Sequence, residues 1–270
     1  MTSLTSPRRV EVRTTDGVLL RGTVLPPKRS ESATGGDGPA IVLGHGITNA
    51  THKPSTAVVA NRLATDATVY AFDFRGHGRS EGRSSVGRDE VLDLDAVVRL
   101  ARADGHSPVV VVGFSMGASV ALRQAALGDQ PPDAVVSVSS PSRWYIRETG
   151  PMRRVHWMLE SPFGKTAGRV LGIRLGEPWA EVPPAPLEVV GDITVPLLIV
   201  HGTRDAYFGV HHAEFLHRAA PRSVLWIEPG MGHAESATGH DLVDRITDWI
   251  AAQDLPSGPG AAPPQAQSQG

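Results

Sequence analysis

The chain has 270 residues and no cysteine, and its 26 Lys and Arg are nearly balanced by 28 Asp and Glu. A chain of this length buries a core without disulfides or metals, and one large α/β domain is the simplest organisation. The balanced charge gives no reason to expect nucleic acid or an anionic membrane surface as a partner, and the absence of cysteine excludes a thiol nucleophile and a cysteine zinc site.

The two ends of the chain lack signals for export or catalysis. The amino-terminal residues carry no apolar core of a secretory signal, and no apolar run approaches the roughly 20 residues that span a bilayer. We therefore expect a cytoplasmic protein without a membrane span. Residues 255–270 are rich in proline, glycine and glutamine, which predicts a disordered tail without a catalytic role.

The chain begins with a predicted antiparallel hairpin. Residues 9–14 and 18–25 alternate apolar and polar side chains on either side of Thr15-Asp16-Gly17, which is typical of a tight turn. From Ala40 onward the pattern changes to short, continuous apolar runs, as in parallel strands that are covered on both faces. These runs cover residues 40–43, 68–72, 109–112, 134–138 and 196–200, with 223–227 as a further candidate.

Helix-competent segments alternate with these runs, at residues 55–64, 88–103, 116–127, 211–219 and 240–252. In 88–103 the apolar positions recur mostly at three- and four-residue spacing, which predicts an amphipathic helix packed on a sheet. The alternation implies right-handed crossovers and an α/β fold with a mostly parallel, doubly wound sheet. In such a sheet, ligands bind beyond the carboxyl ends of the strands.

The pentapeptide Gly113-Phe114-Ser115-Met116-Gly117 follows a run of four valines and opens a predicted helix. A serine between glycines at a strand-to-helix turn adopts a strained backbone, and the glycines remove Cβ atoms that would clash there. Such a turn exposes the serine hydroxyl above the sheet and leaves the following amide at a helix N-terminus, where it can face an oxyanion. Ser115 is therefore the predicted nucleophile.

Residues 141–192 interrupt the alternation, because seven prolines cut this segment, which also holds three of the five tryptophans. We predict a small helical cap here, over a core formed by residues 1–140 and 193–254. The candidate substrate-pocket residues are the large side chains Trp144, Tyr145, Trp157, Met158 and Trp179. The alternative is that these side chains fill the small core of the cap itself.

The cap segment also carries four arginines, Arg143, Arg147, Arg153 and Arg154. Two interpretations of them are open. They form a solvated basic face, or they pair with an anionic group on the substrate.

Later strand ends offer the base and the acid that a serine nucleophile needs. Asp205 follows the run that ends at residue 200, and His233 lies in a glycine-rich loop after the run that ends at residue 227. Asp192 precedes its strand and would lie at the opposite edge of the sheet, and the loop after Val138 offers no carboxylate. The predicted triad is Ser115, Asp205 and His233, in that chain order.

The segment Gly44-His45-Gly46-Ile47-Thr48 follows the first parallel strand. Backbone amides that are held by a glycine turn need little reorganisation when negative charge develops on a substrate. We therefore assign the Ile47 and Met116 amides as the two donors of an oxyanion hole. His45 is predicted to hydrogen-bond the loop rather than to transfer a proton.

These motifs together resemble those of the α/β-hydrolase superfamily. The resemblance is carried by His45-Gly46, Asp73-Phe74-Arg75-Gly76-His77-Gly78-Arg79-Ser80, the Gly113 to Gly117 pentapeptide, Asp205 and Gly232-His233, and it runs from about residue 8 to residue 252. The hairpin and the short cap are most similar to the branch that contains monoacylglycerol-lipase-like esterases. No Gly-Gly-Gly follows His45, which argues against the hormone-sensitive-lipase-like branch. The resemblance implies that Arg75, His77 and Arg79 hold loops beside the site.

The residues predict a serine hydrolase that cleaves a carboxylic ester, or a related acyl bond such as a thioester, through an acyl-enzyme on Ser115. No cofactor or metal is expected, and the expected partner is a small-molecule acyl substrate, with its identity and the oligomeric state left open. The alternatives are acyl transfer or other cofactor-free chemistry on the same triad, and a non-catalytic binding protein. Proteins of that last kind commonly lose triad members.

Overall fold

The computed structural model describes residues 6–29 and 39–256. The predicted tail, residues 255–270, lies outside this range except for its first two residues. Among the described residues, none of the helices combines the length and the apolar character needed to cross a bilayer.

An eight-stranded sheet forms the centre of the molecule. Its strands are β1 (Arg8–Arg13), β2 (Leu19–Leu25), β3 (Ala40–Gly44), β4 (Thr68–Phe72), β5 (Val109–Phe114), β6 (Ala134–Val138), β7 (Leu197–Gly202) and β8 (Val224–Glu228). They lie in the order β1-β2-β4-β3-β5-β6-β7-β8. The β1–β2 and β2–β4 pairs are antiparallel and every other pair is parallel. The predicted fold class, a mostly parallel sheet entered through an antiparallel hairpin, is confirmed.

Eight α-helices are formed within the described residues, and five of them, α1, α2, α3, α7 and α8, agree with the five predicted segments to within two residues at each end. They are α1 (Pro54–Leu63), α2 (Glu90–Ala103), α3 (Met116–Leu127), α4 (Gly150–Glu160), α5 (Gly164–Val170), α6 (Pro186–Val189), α7 (His211–Ala219) and α8 (His240–Ala251). Short 3-10 helices lie at Val190–Asp192, directly after α6, and at Ala234–Ala237, before α8.

Helices cover both faces of the sheet, which explains why the central strands are continuously apolar. All residues of β3, β4, β5, β6 and β7 are buried. One apolar layer includes Leu94 of α2 and Leu122 of α3, and the opposite layer includes Leu63 of α1 and Ile246 of α8. Each fully buried valine or leucine contributes about 1.5–3 kcal/mol of hydrophobic stabilisation. The strands therefore end in a fixed register, and their carboxyl ends meet at one edge.

The predicted cap segment contains α4 and α5, which enclose a small apolar cluster of Met158, Ile173 and Leu175. Two isolated bridges, His77 to Ile173 and Ser84 to Leu175, attach this segment to core loops. The last part of the segment packs differently, because Val190 belongs to the main core cluster. The division into core and cap at residues 141 and 192 stays a prediction.

Candidate active site

Ser115 occupies a sharp turn between β5 and α3. Its backbone has φ 51° and ψ −113°, a combination that non-glycine residues rarely adopt and that costs about 1–3 kcal/mol. A Cβ on Gly113 would lie 2.3 Å from the Gly117 carbonyl oxygen, and one on Gly117 would lie 2.2 Å from the Gly44 carbonyl oxygen. The flanking glycines are therefore required by close backbone packing around the turn.

The structure brings Ser115, His233 and Asp205 together from three different strand ends. His233 Nε2 lies 2.9 Å from Ser115 Oγ, and His233 Nδ1 lies 2.7 Å from Asp205 Oδ2. The Asp205 side chain is fully buried and the His233 side chain is 16% exposed. A continuous hydrogen-bond chain thus runs from the buried carboxylate to the serine hydroxyl.

The environment of Asp205 keeps it ionised. Burial by itself raises the pKa of this carboxyl, but the hydrogen bond and charge of His233, together with two backbone amides, outweigh burial and lower the pKa below its usual value. The amides belong to Tyr207 and Phe208, which donate to Asp205 Oδ1 at 2.8 and 3.0 Å. An ionised Asp205 favours the Nδ1-protonated imidazole and leaves Nε2 free to accept a proton.

Two aromatic rings flank the imidazole of His233. The Tyr207 ring lies 4.4 Å away between centroids, and the Phe208 ring lies 5.4 Å away in a T-shaped contact. Both residues follow Asp205 closely in the chain, so a single loop positions the acid and restricts the base. The sequence reasoning overlooked this pair, although two aromatic residues lie two and three positions after the candidate acid.

His45 holds the loop after β3, in the manner expected from the sequence. Its Nδ1 lies 2.8 Å from the Gly46 carbonyl oxygen, and its Nε2 accepts a hydrogen bond from the Phe74 amide at 3.1 Å. Complete burial, with a smaller contribution from the neighbouring His77, lowers the pKa of His45 to about 3. A neutral imidazole that uses both nitrogens in this way has no proton to give to a substrate.

The predicted loop-holding residues after β4 act through different groups. The Arg75 guanidinium pairs with Asp16 at 2.7 Å and with Asp93 at 2.8 Å. The His77 Nε2 lies 2.7 Å from the Ile47 carbonyl oxygen. Arg79 contributes its backbone amide, which donates to Asp73 Oδ2 at 2.9 Å.

Ile47 and Met116, whose amides are the predicted oxyanion donors, line the same cavity as Ser115. Met116 is the first residue of α3, where a helix amide has no intrahelical partner. Within residues 6–29 and 39–256, neither amide donates a hydrogen bond to another group of the chain. Two free donors at this position fit an oxyanion hole, and their assignment to that role stays a prediction.

Glu235 is a buried acid beside the site that the sequence reasoning did not identify. Its carboxylate accepts hydrogen bonds from the Gly46 amide at 2.7 Å and from Asn49 Nδ2 at 2.9 Å. Burial raises the pKa of Glu235 above its usual value, because the bonds from Gly46 and Asn49 compensate it only in part. The only feature of the local sequence that could have indicated its role is its position two residues after His233.

A cavity of about 320 Å³ opens above Ser115 and extends beneath the cap. Trp144, Tyr145 and Trp179 form part of its wall, and their role in substrate binding stays a prediction. The rings of Trp144 and Trp179 meet in a T-shaped contact with centroids 5.2 Å apart. Their indole nitrogens donate to the Pro183 carbonyl at 2.7 Å and to the Ser85 carbonyl at 2.6 Å. Both rings are therefore held in fixed orientations.

Two residues that we predicted for the pocket, Trp157 and Met158, do not line the cavity, and this part of the prediction is wrong. Trp157 is 59% exposed to solvent, and Met158 is buried in the small apolar cluster of the cap. The reason is the rotation of α4 about its own axis, which directs other positions of the helix to the cavity. The residues of α4 that line the cavity are 152, 155, 156, 159 and 160, which follow the i, i+3, i+4, i+7 spacing of one helix face.

Three of the four cap arginines are paired with carboxylates or carbonyls, Arg153 with the carbonyl oxygens of Arg147 and Glu148. Arg143 lies 2.5 Å from Glu148, and Arg147 lies 2.6 Å from Glu160. Of the four cap arginines, Arg143 lines the cavity, and the carboxylates of Glu160 and Glu177 line it as well. The cavity therefore carries no surplus of positive charge from this segment, which favours the solvated basic face over an anionic-substrate site.

Comparison with known proteins finds relatives in sequence and in fold. A pimeloyl-[acyl-carrier protein] methyl ester esterase of Chromobacterium violaceum is 27% identical over 253 residues, covering 81% of this chain and 96% of that protein. An uncharacterised protein of Mycobacterium tuberculosis is 27% identical over 268 residues, covering 79% of this chain and 76% of that protein. Among solved structures, an esterase of Pyrococcus furiosus superposes with a TM-score of 0.70 at 24% identity, covering 91% of this chain and 92% of that chain.

A sequence model of the alpha/beta hydrolase family matches residues 41–245. This range begins in β3 and ends in α8, so that it includes Ser115, Asp205 and His233. The resemblance drawn from the motifs is thereby confirmed. The chain belongs to the α/β hydrolase family.

Proposed function

We propose that the protein is a serine hydrolase that cleaves a carboxylic ester, or a related acyl bond such as a thioester, through an acyl-enzyme on Ser115. The observation that carries this proposal is the hydrogen-bond chain from Asp205 through His233 to Ser115, with distances of 2.7 and 2.9 Å. It ends at the floor of a cavity large enough for a small organic ligand. A non-catalytic role would not require all three groups in contact.

The first half of the reaction forms the acyl-enzyme. Ser115 Oγ attacks the acyl carbon while His233 Nε2 takes its proton, and the charge of Asp205 stabilises the imidazolium that results. The carbonyl oxygen becomes an oxyanion, which the Ile47 and Met116 amides bind. When the tetrahedral intermediate collapses, His233 returns the proton to the departing alcohol or thiol.

The second half releases the acid. A water molecule enters the vacated leaving-group position, His233 removes its proton, and the hydroxide attacks the acyl carbon of the Ser115 ester. The second tetrahedral intermediate collapses with return of the proton to Ser115 Oγ. The enzyme is regenerated with no change in its net protonation.

The cavity favours an acyl group of modest size and apolar or aromatic character. Trp144 and Trp179 present flat apolar surfaces to it. Glu160 and Glu177 also line it, but each is paired with a cation of the chain, Arg147 and Lys165 respectively, so that they add no net charge. The relative from Chromobacterium violaceum is named as an esterase of a methyl ester. That name supports an ester as the bond cleaved by this chain.

Covalent labelling tests the proposal directly. A fluorophosphonate probe is expected to add once to the folded protein, at Ser115, as located by peptide mass spectrometry. Ser115→Ala should prevent labelling, whereas Ser119→Ala should not, because Ser119 lines the same cavity but its hydroxyl donates to the Met116 carbonyl rather than to a base. A folded wild-type protein that stays unlabelled would overturn the proposal.

A panel of chromogenic esters of increasing acyl chain length then gives the substrate class. We expect turnover of short and medium acyl esters, and none by Ser115→Ala. Product analysis in the presence of an added alcohol separates hydrolysis from acyl transfer, because transfer produces a new ester in place of the free acid.

A further inference from the structure

A cluster of potential metal ligands lies at the junction of the cap and the core. Glu148 precedes the residue that caps α4, and His211 and His212 begin α7. Glu148 Oε2 lies 3.1 Å from His211 Nε2 and 3.7 Å from His212 Nε2, and the three ligand atoms all lie within 4.8 Å of one another. The cluster is separate from the catalytic cavity, since none of the three residues lines it.

One atom of this cluster lacks a partner. The side chain of His212 is fully buried, and its Nε2 has no hydrogen-bond partner among the described residues. Its other nitrogen, Nδ1, lies 2.7 Å from Ser142 Oγ and accepts a hydrogen bond from the Ser142 backbone amide at 3.3 Å. Nε2 faces Glu148, and metal binding at Nε2 requires the imidazole proton to lie on Nδ1 and to be donated to Ser142 Oγ in place of the bond from the Ser142 amide. A buried polar atom without a partner destabilises the folded state, so its retention points to a ligand.

The distances from Glu148 Oε2 to the two imidazole nitrogens suit a tetrahedral ion. Zinc bonds of about 2.0–2.2 Å to imidazole and carboxylate place neighbouring ligand atoms about 3.3–3.5 Å apart. The distances from Glu148 Oε2 to His211 Nε2 and to His212 Nε2, 3.1 and 3.7 Å, lie on either side of this range.

Outer contacts hold the ligands in place. Glu148 Oε1 accepts from Arg143 Nη2 at 2.5 Å, which leaves Oε2 directed at the histidines. Metal-binding carboxylates and imidazoles commonly have such outer partners, which fix their orientation. The side chains of Glu148 and His211 are each 41% exposed, so that an ion can enter from solvent and a water can complete its coordination.

We propose that Glu148, His211 and His212 bind one Zn²⁺ ion, with water as the fourth ligand, and that the ion fastens the cap to α7. Two imidazoles and one carboxylate form a ligand set that zinc accepts well. The ion would position the cap and would not take part in the reaction, because the Phe208 ring separates the metal site from the catalytic base, His233. The Phe208 centroid lies 5.7 Å from that of His212 and 5.4 Å from that of His233. Bound zinc would steady the cap and the loop that carries Asp205.

Calorimetric titration of the full chain with zinc chloride, after removal of metals with a chelator, tests the binding site. We expect one saturable site per chain. Glu148→Gln and His211→Ala should each weaken zinc binding at least tenfold, a loss typical of a disturbed metal site. His240→Ala is the matched control, since His240 is an exposed histidine on α8, away from the cluster. Wild-type protein without saturable binding, or unchanged affinity in both variants, would overturn the proposal.

Two further measurements address geometry and role. Cobalt(II) should give the visible absorption of a tetrahedral ion with the wild type but not with His211→Ala. Zinc should slow amide hydrogen exchange over residues 146–160 in the wild type. In Glu148→Gln the exchange rates over the same residues should be unchanged by zinc. Zinc that binds at the cluster without slowing exchange there would exclude the fastening role.

Discussion

The carboxylate of Glu235 accepts a hydrogen bond of 2.7 Å from the Gly46 amide, joining two segments that lie 189 residues apart in the chain. One segment carries the base, His233, and the other carries Ile47. The same carboxylate accepts a hydrogen bond from the side-chain amide of Asn49. The backbone amide of Asn49 closes the turn by donating to the Gly46 carbonyl at 2.9 Å. Glu235 therefore sets the position of the predicted oxyanion loop relative to the base.

Glu235→Gln is expected to lower kcat about tenfold while leaving KM nearly unchanged. The glutamine amide offers one acceptor oxygen in place of two, so that either Gly46 or Asn49 loses its bond. Loss of a whole oxyanion-hole donor costs about 10²–10³ in rate, and misplacing one costs part of that. Steady-state kinetics on a chromogenic ester measure the change. Glu228→Gln, on β8, is the control and should retain full activity, and equal kcat for both variants would contradict the role of Glu235.

Asp205→Asn should reduce kcat about 10³–10⁴-fold with little loss of structure. The asparagine side chain can still accept from the Tyr207 and Phe208 amides, but it no longer stabilises the imidazolium or the required tautomer of His233. Circular dichroism and thermal unfolding check the fold alongside the rate. Asp192→Asn serves as the control, because Asp192 precedes β7 and is exposed. A variant that keeps most of the wild-type rate would remove Asp205 from the mechanism.

Trp179→Ala and Trp157→Ala form a matched pair on the cap. The first removes a wall of the cavity and the hydrogen bond to Ser85, and we expect KM for an aromatic ester to rise about tenfold, or about 1.4 kcal/mol. The second removes a side chain that is 59% exposed and outside the cavity, so KM should stay within experimental error. Similar changes in both variants would mean that the cap acts through its stability and not through contact with the substrate.

Gly117→Ala should destabilise the protein and abolish activity, because its Cβ would lie 2.2 Å from the carbonyl oxygen of Gly44. Neither backbone segment can move without disturbing the serine turn, and we expect the free energy of unfolding to fall by about 1–3 kcal/mol or more. Urea denaturation measures the loss. Gly239→Ala is the control, since a Cβ there meets no atom within 4 Å and the backbone has φ −74°. Equal stability of the two variants would show that the turn tolerates a side chain.

Local patterns in the sequence were enough to predict the sheet and the placement of Ser115, Asp205 and His233. Continuous valine runs and helical spacing are short-range signals, and parallel strands bring their carboxyl ends to one edge whatever lies between them. For that reason three residues on separate loops could be assigned to one site. Gly113 and Gly117 marked the turn because close packing there excludes any Cβ.

The details of the cap and of the supporting contacts depended on tertiary packing. Trp157 and Met158 were placed in the pocket by residue type, but the rotation of α4 about its axis directs other positions to the cavity. The link from Glu235 to Gly46 and the approach of Glu148 to His212 join segments that are far apart in the chain, and no local pattern records such pairs. The sequence by itself determined the α/β hydrolase scaffold and the order of its chemical groups, because these follow from short-range periodicity. Only the folded chain decided which side chains face the substrate and which stabilise the loops, because those choices depend on distances between distant segments.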